Sequence, residues 1–180
     1  MDKLLNYGNL NDVEFEYLCK DIMSKKLGVD LRRFAAGRDG GIDLVDDVNS
    51  KNIVVQVKHY VKSSARVLIN NLKKEVKKIE AMKPKPKEYY VCCSKELSSE
   101  NINEIYALFS DYMVSDRNII TLIEIDEFLT ADENTDILKK HYKLATNILI
   151  NPNFVDCEVL SHDIRKILNI LFKLKHMIKR

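Results

Sequence analysis

Asp43, Gln56 and Lys58 have the chemistry of a hydrolytic centre. Asp43 follows a glycine-rich stretch, Gly37-Arg38-Asp39-Gly40-Gly41, and Gln56 and Lys58 stand two apart in a valine-rich run. On an extended chain that spacing points both side chains to one face. If the runs around Asp43 and Gln56 pair as a hairpin, a carboxylate, an amide oxygen and an ammonium converge. A hard divalent cation such as Mg2+ takes oxygen ligands in near-octahedral geometry, a few from protein and the rest from water. An ammonium beside it can orient the attacking water and offset the charge that develops on a phosphate. The set therefore points to phosphodiester hydrolysis. One more acid is expected. Glu14 and Glu16 flank Phe15. Glu16 lies beside the apolar stripe and leans toward the sheet, while Glu14 is the more solvated.

Plainer roles exist for the same residues. Asp43 can cap the glycine turn, and Gln56 and Lys58 can form the solvated face of an edge strand. Asp39 reads as a turn former that bonds backbone amides. His59 faces away from Lys58 and reads as structural or surface. Tyr60 shares the Lys58 face and can pack beside a sugar or phosphate.

The elements that position these residues follow from pattern. Asn11 and Asp12 precede Val13, Phe15, Leu18, Cys19, Ile22 and Met23, a helical spacing with a polar cap and a stop near Gly28. Residues 31–34 are extended, and the three glycines that follow favour a turn. Strands are expected at 42–45 and 53–60, separated by polar turn residues. Residues 65–82 form an amphipathic helix with Val67, Leu68, Leu72, Val76 and Ile79 inward and Lys73, Lys74, Lys77 and Lys78 largely off the stripe. Pro84 and Pro86 end it. Residues 89–93 read as a central strand. Ser98 opens a helix carrying Ile102, Ile105, Tyr106, Phe109 and Met113, 119–125 reads as a strand, and 126–129 as a short helical turn. From Thr135 two helices flank Asn151-Pro152-Asn153. The last has a broad apolar face (Ile164, Ile167, Leu168, Leu171, Leu174, Ile178) that needs a partner. This order predicts an α/β fold, a mixed central sheet flanked by helices, with a C-terminal helical pair.

The 180 residues are 46% hydrophobic and 31% charged, enough for a real core and too apolar for a disordered chain. The net charge of +2 hides an asymmetry: residues 51–95 carry 12 Lys/Arg against 3 Asp/Glu, a balance of +9, and the rest of the chain is at −7. A basic segment in an otherwise acidic chain points to a polyanionic partner. Cys19, Cys92, Cys93 and Cys157 show no CxxC spacing and read as buried reduced thiols. No run approaches the roughly 18 apolar residues of a membrane span, and no signal segment stands at the start. A cytoplasmic protein without membrane contact is expected.

Phe15-Glu16-Tyr17-Leu18, Gly37-Arg38-Asp39-Gly40-Gly41-Ile42-Asp43-Leu44 and Val55-Gln56-Val57-Lys58-His59-Tyr60 resemble the F-E-x-L, G-x-D-G-G-I-D and Q-x-K blocks of Mrr-type restriction endonucleases, within the PD-(D/E)xK nuclease superfamily. The resemblance spans about residues 11–125. It implies a restriction-endonuclease-like core, expected over 1–130; from the apolar face of the last helix, 131–180 is expected to be a helical extension for dimerisation or connection. The resemblance implies Mg2+-dependent cleavage of double-stranded DNA, with Mn2+ able to substitute, in restriction or antiphage defence. Asp43, Gln56, Glu16 and the backbone carbonyl of Val57 would hold the metal, and Lys58 would be the catalytic lysine. Ile42 stands where the superfamily usually has proline. Arg38, Tyr60, Lys62, Arg66, Lys73, Lys74, Lys77 and Lys78 are the candidate DNA contacts. The expected partner is a second copy, or a sensor or ATPase domain. A junction-resolvase-type nuclease and a non-catalytic nucleic-acid-binding or assembly module share the fold and remain alternatives.

Overall fold

In a computed structural model that describes residues 5–34 and 42–145, the first helix, α1 (Asp12–Leu27), starts where its sequence says it should. The Asn11 side chain accepts from the Glu14 N–H at 2.9 Å, and the Glu14 carboxylate accepts from the Asn11 N–H at 2.9 Å. This reciprocal cap satisfies two amides that a helix start leaves open. Gly28 ends the helix at φ 67°. A Cβ there would meet open space, so the left-handed backbone alone is what favours glycine. Phe15, Leu18, Cys19, Ile22 and Met23 are buried.

The five strands are β1 (Arg32–Arg33), β2 (Leu44–Val45), β3 (Ile53–Lys58), β4 (Glu88–Cys93) and β5 (Ile119–Ile120), in the spatial order β1-β2-β3-β4-β5. β1, β2 and β3 pair antiparallel, and β3, β4 and β5 pair parallel. Parallel neighbours need a crossover. α2 (Ala65–Ala81) supplies it between β3 and β4, and α3 (Ser99–Phe109) between β4 and β5. Ser64 and Ser98 cap these helices by accepting from the Val67 and Asn101 amides. Val54, Leu68, Leu72, Tyr89, Val91 and Phe109 are fully buried in one core. No residue of α1 joins that core. α1 lies against β1 and β3 instead, and so covers the other face. β3 and β4, buried on both sides, are accordingly rich in valine, tyrosine and cysteine.

One element departs from the pattern-based reading. The apolar run 119–125 is not one strand: only Ile119 and Ile120 pair, opposite Val91 and Cys92, and α4 (Leu122–Thr130) begins immediately. The reason is local. Glu124 Oε2 accepts from the Thr121 N–H at 2.9 Å and from the Thr121 hydroxyl, and Thr121 Oγ1 accepts from the Ile123 N–H at 3.3 Å. Thr-x-x-Glu is a helix start, and it overrides the β-branched run.

Among the described residues, those of Leu10–Phe128 form one compact unit, and 5–9 with 129–145 belong to a second. Within the second, Asn6 N–H donates to the Leu144 carbonyl and Asn9 Nδ2 to the Lys143 carbonyl, each at 3.0 Å. Leu5, Tyr7, Ile137, Leu138 and Leu144 are buried there, around α5 (Thr135–Lys140). The glycine stretch with Arg38, Cys157, the Asn151-Pro152-Asn153 break and the apolar face at 164–178 lie outside the described residues. Among the described residues, no helix is long and apolar enough to cross a membrane. Cys19, Cys92 and Cys93 are buried and free. Burial pushes the Cys93 thiol up to about 12 and the Cys19 thiol well above its ordinary value, so neither is poised as a nucleophile.

Candidate active site

The hairpin geometry brings the first two site residues together. β2 and β3 pair with Leu44 opposite Val55 and Val45 opposite Val54. One step further along that register sets Asp43 opposite Gln56. Asp43 Oδ2 accepts from the Val57 N–H at 2.6 Å and from the Gln56 amide nitrogen. Gln56 is buried, and its Oε1 accepts from the Tyr89 hydroxyl at 3.4 Å. Lys58 follows on the same face of β3. Its Nζ donates to Glu75 Oε1 at 3.1 Å. Glu75 Oε2 has the Lys78 ammonium at 2.7 Å, but no well-directed hydrogen bond.

The carboxyl of Asp43 is pushed up to about 6. Burial is the main cause. The Val57 N–H and the Lys58 charge oppose it, while the charges of Glu16 and Glu75 add to it. A negative group is thus held where it is poorly compensated by the chain itself, and a cation would relieve that. The donor set fits a hard divalent ion: a carboxylate oxygen and a side-chain amide oxygen, with backbone carbonyls nearby. In the arrangement described, the nitrogen end of the Gln56 amide faces Asp43. Turning the amide over would present its oxygen instead, and the Tyr89 hydroxyl can serve either end. Among the described residues, no group of three or more His, Cys, Asp or Glu is arranged around a metal position. Water would therefore complete the shell.

The remaining candidates divide clearly. Glu16 makes no hydrogen bond to Asp43, Gln56 or Lys58; it binds Arg33 Nε at 2.5 Å, and Arg33 also sits over the Tyr17 ring. It acts on Asp43 through charge alone. His59 stacks on Phe15, with ring centroids 4.6 Å apart, and its Nε2 meets the Leu10 carbonyl at 3.0 Å, a structural role. Tyr60 is half-buried, with its hydroxyl accepting from Asn71 at 2.8 Å. Lys62 and Lys77 are exposed. Arg66 and Lys73 share Glu104 of α3, at 3.3 and 2.9 Å, and Lys74 donates to Asn71. The basic face of α2 is therefore partly neutralised by its own neighbours.

Glu75 and Tyr89 are the site residues that pattern reading passes over. Glu75 lies inside a lysine-rich run, but it is also three residues after Leu72 and four before Ile79. A carboxylate on the buried stripe is a signal in its own right. Tyr89 is hidden because a tyrosine in an apolar strand reads as core.

A mixed sheet that sets Asp43 against Gln56, with Lys58 on the same face, is the arrangement expected of a nuclease of the restriction-endonuclease type. The family model of the Mrr catalytic domain, described as a restriction endonuclease, matches residues 8–130, and the chain belongs to that family. Nucleases of this family generally use a divalent metal. The chain is also similar to the uncharacterized protein y4cD of Sinorhizobium fredii, at 24% identity over 136 residues, or 76% of this chain. The chain spans only 21% of the length of that relative. No solved structure matches.

Proposed function

We propose that the chain is an endonuclease that hydrolyses phosphodiester bonds in double-stranded DNA with Mg2+, or Mn2+ in its place, and serves restriction or antiphage defence in the cytoplasm. The observation that carries this reading is the contact of Asp43 with Gln56 and the Val57 amide, with Lys58 next on the same face. Asp43 and the carbonyl oxygens of Gln56 and Val57 would hold the cation, and Glu16, paired with Arg33, would add its negative charge to the field there. Bound there, a divalent ion would polarise the scissile phosphate and ease deprotonation of the attacking water. The chain's own groups do the rest. Lys58 brings an ammonium to the developing phosphate charge. Tyr89 fixes the Gln56 amide, and the Val57 N–H fixes the Asp43 carboxylate. The basic balance of residues 51–95 draws the polyanion to this side of the sequence. We assign the catalytic domain to residues 1–130 and a dimerisation or connector role to 131–180.

The test is incubation with supercoiled plasmid, linear duplex and a four-way junction, in Mg2+ or in EDTA. Cleavage of plasmid and duplex in Mg2+ alone is expected, and loss of it in Asp43→Ala and Lys58→Ala by about 10³-fold or more. Cleavage restricted to the junction would transfer the chain to the resolvase type. Binding without cleavage in Mg2+ would make it an assembly module.

A further inference from the structure

The buried stripe of α2 is interrupted by one charge. Leu72 and Ile79, on either side of Glu75, are 0% and 1% exposed, and Glu75 itself is 6% exposed. An apolar residue would pack there without having to lose the hydration of a carboxylate, and a buried ion pair is seldom more stabilising than a hydrophobic replacement of similar size. A local rule broken in the core, beside a candidate site, points to function.

We infer that Glu75 is the positioning residue for Lys58: its carboxylate fixes where the Lys58 ammonium points. This rests on the reading of Asp43, Gln56 and Lys58 as the nuclease site. Lysine carries a flexible four-carbon arm, and holding it in one direction works against its rotamer entropy. On Lys58 that restraint is supplied by Glu75 Oε1 at 3.1 Å, with side chains only 17% and 8% exposed. Glu75 is in turn held on both sides. Its helix is locked by the buried Leu72 and Ile79, and the Lys78 ammonium lies 2.7 Å from its second oxygen. Lys78 thereby sits on the second oxygen, and Glu75 Oε1 is left to Lys58. The strand sets the Lys58 backbone two residues from Gln56, and the helix sets the direction of its head group.

The experiment is a double-mutant cycle on the full chain, read as single-turnover plasmid cleavage in Mg2+ beside DNA affinity. Glu75→Gln is expected to lower the cleavage rate by about 10- to 100-fold, with DNA affinity unchanged or tighter, since one negative charge is gone. Glu75→Asp keeps the charge on a shorter arm and is expected to recover part of the rate. In the Lys58→Ala background, Glu75→Gln is expected to change the residual rate by less than about twofold, because residues that act through one another are not additive. A Glu75→Gln chain that folds and cleaves at the wild-type rate overturns the proposal, and so does an equal loss in both backgrounds. Should Glu75→Gln fail to fold, Glu75→Asp carries the same cycle: loss with Lys58 present and none without it supports the positioning role, and equal loss refutes it. Asp43→Ala at the wild-type rate would overturn the site and this proposal together. An inactive Asp43→Ala with additive Glu75 effects would overturn this proposal alone.

Discussion

Asp43 is held by two donors, yet its charge is unfavourable where it sits. Its carboxyl rises from 3.8 to about 6, chiefly through burial. The folded chain therefore keeps the proton more tightly than the unfolded chain does. Between these two values rising pH lowers stability, and above about 6 the full penalty, on the order of 3 kcal/mol at most, is present. Asp43→Asn is accordingly expected to be inactive but more stable than wild type in EDTA at pH 8, with the gain vanishing near pH 4. Thermal melts at the two pH values check this, and no gain at pH 8 would show that the charge is better compensated than its surroundings imply. Added Mg2+ is expected to raise the wild-type melting temperature at pH 8 and to leave that of Asp43→Asn unchanged. At the neighbouring position, Gln56→Ala is expected to lose cleavage by about 10²- to 10³-fold, whereas Gln56→Glu keeps an oxygen and is expected to retain activity. Comparing the two rates shows whether the position needs an oxygen or an amide. Asp43, Gln56 and Lys58 were legible because a two-residue strand period and a hairpin register are local facts. Glu75 and Tyr89 were not. Placing Glu75 requires the phase of α2 to better than one residue, since Val76, also on the apolar side, lies about 100° away around the helix. Placing Tyr89 on Gln56 requires the parallel pairing of β3 with β4, which no local pattern encodes.

Element boundaries show the same division between local and distant causes. α1 was readable from Asn11 and Gly28 because caps act within four residues. The strand reading of 119–125 failed because a β-branched apolar run fits a strand and a buried helix start equally well, and the Thr121–Glu124 box decides between them. Thr121→Val preserves shape and removes the hydroxyl that receives the Ile123 amide and donates to Glu124. A destabilisation of about 1–2 kcal/mol is expected, read as a lower denaturation midpoint with unchanged slope. A loss below a few tenths would mean that packing, not the cap, starts α4. On α2, the four lysines of the sequence pattern are not equivalent. Lys73 is tied to Glu104 and Lys78 to Glu75, which leaves Lys74 and Lys77 the better placed for phosphate. Lys74→Ala with Lys77→Ala is expected to flatten the slope of log affinity against log salt by up to about 1.8, at roughly 0.9 per phosphate contact. Lys73→Ala is expected to change it less. Salt titrations of DNA binding compare them, and equal slopes in all variants would return the whole face to solvent.

The proposed site, with one Asp43, one Gln56 and one Lys58, would hydrolyse one strand, so a double-strand break would need either two copies at once or two separate encounters. The sequence offers a means for the first. Ile164, Ile167, Leu168, Leu171, Leu174 and Ile178 recur at helical spacing, which predicts a broad apolar stripe. A two-fold interface would set that stripe against its own copy. The two routes differ in kinetics. Two copies acting together convert supercoiled plasmid directly to linear product, with a rate that rises faster than linearly with enzyme concentration in the range where the dimer assembles. Separate encounters build up nicked circles first, in proportion to enzyme. Direct linearisation is expected for the wild type. Leu168→Glu with Leu171→Glu places like charges on the stripe, and is expected to yield nicked circles, with sedimentation as a monomer at tens of micromolar (a concentration at which an interface with a Kd of about 1 μM, or roughly −8 kcal/mol, would be well populated). Asp43, Gln56 and Lys58 are untouched by this change, so the nicking rate per chain should hold. A wild type that accumulates nicked circles and sediments as a monomer at the same concentration would remove the dimer, and would leave the stripe to pack within the chain or against a further domain.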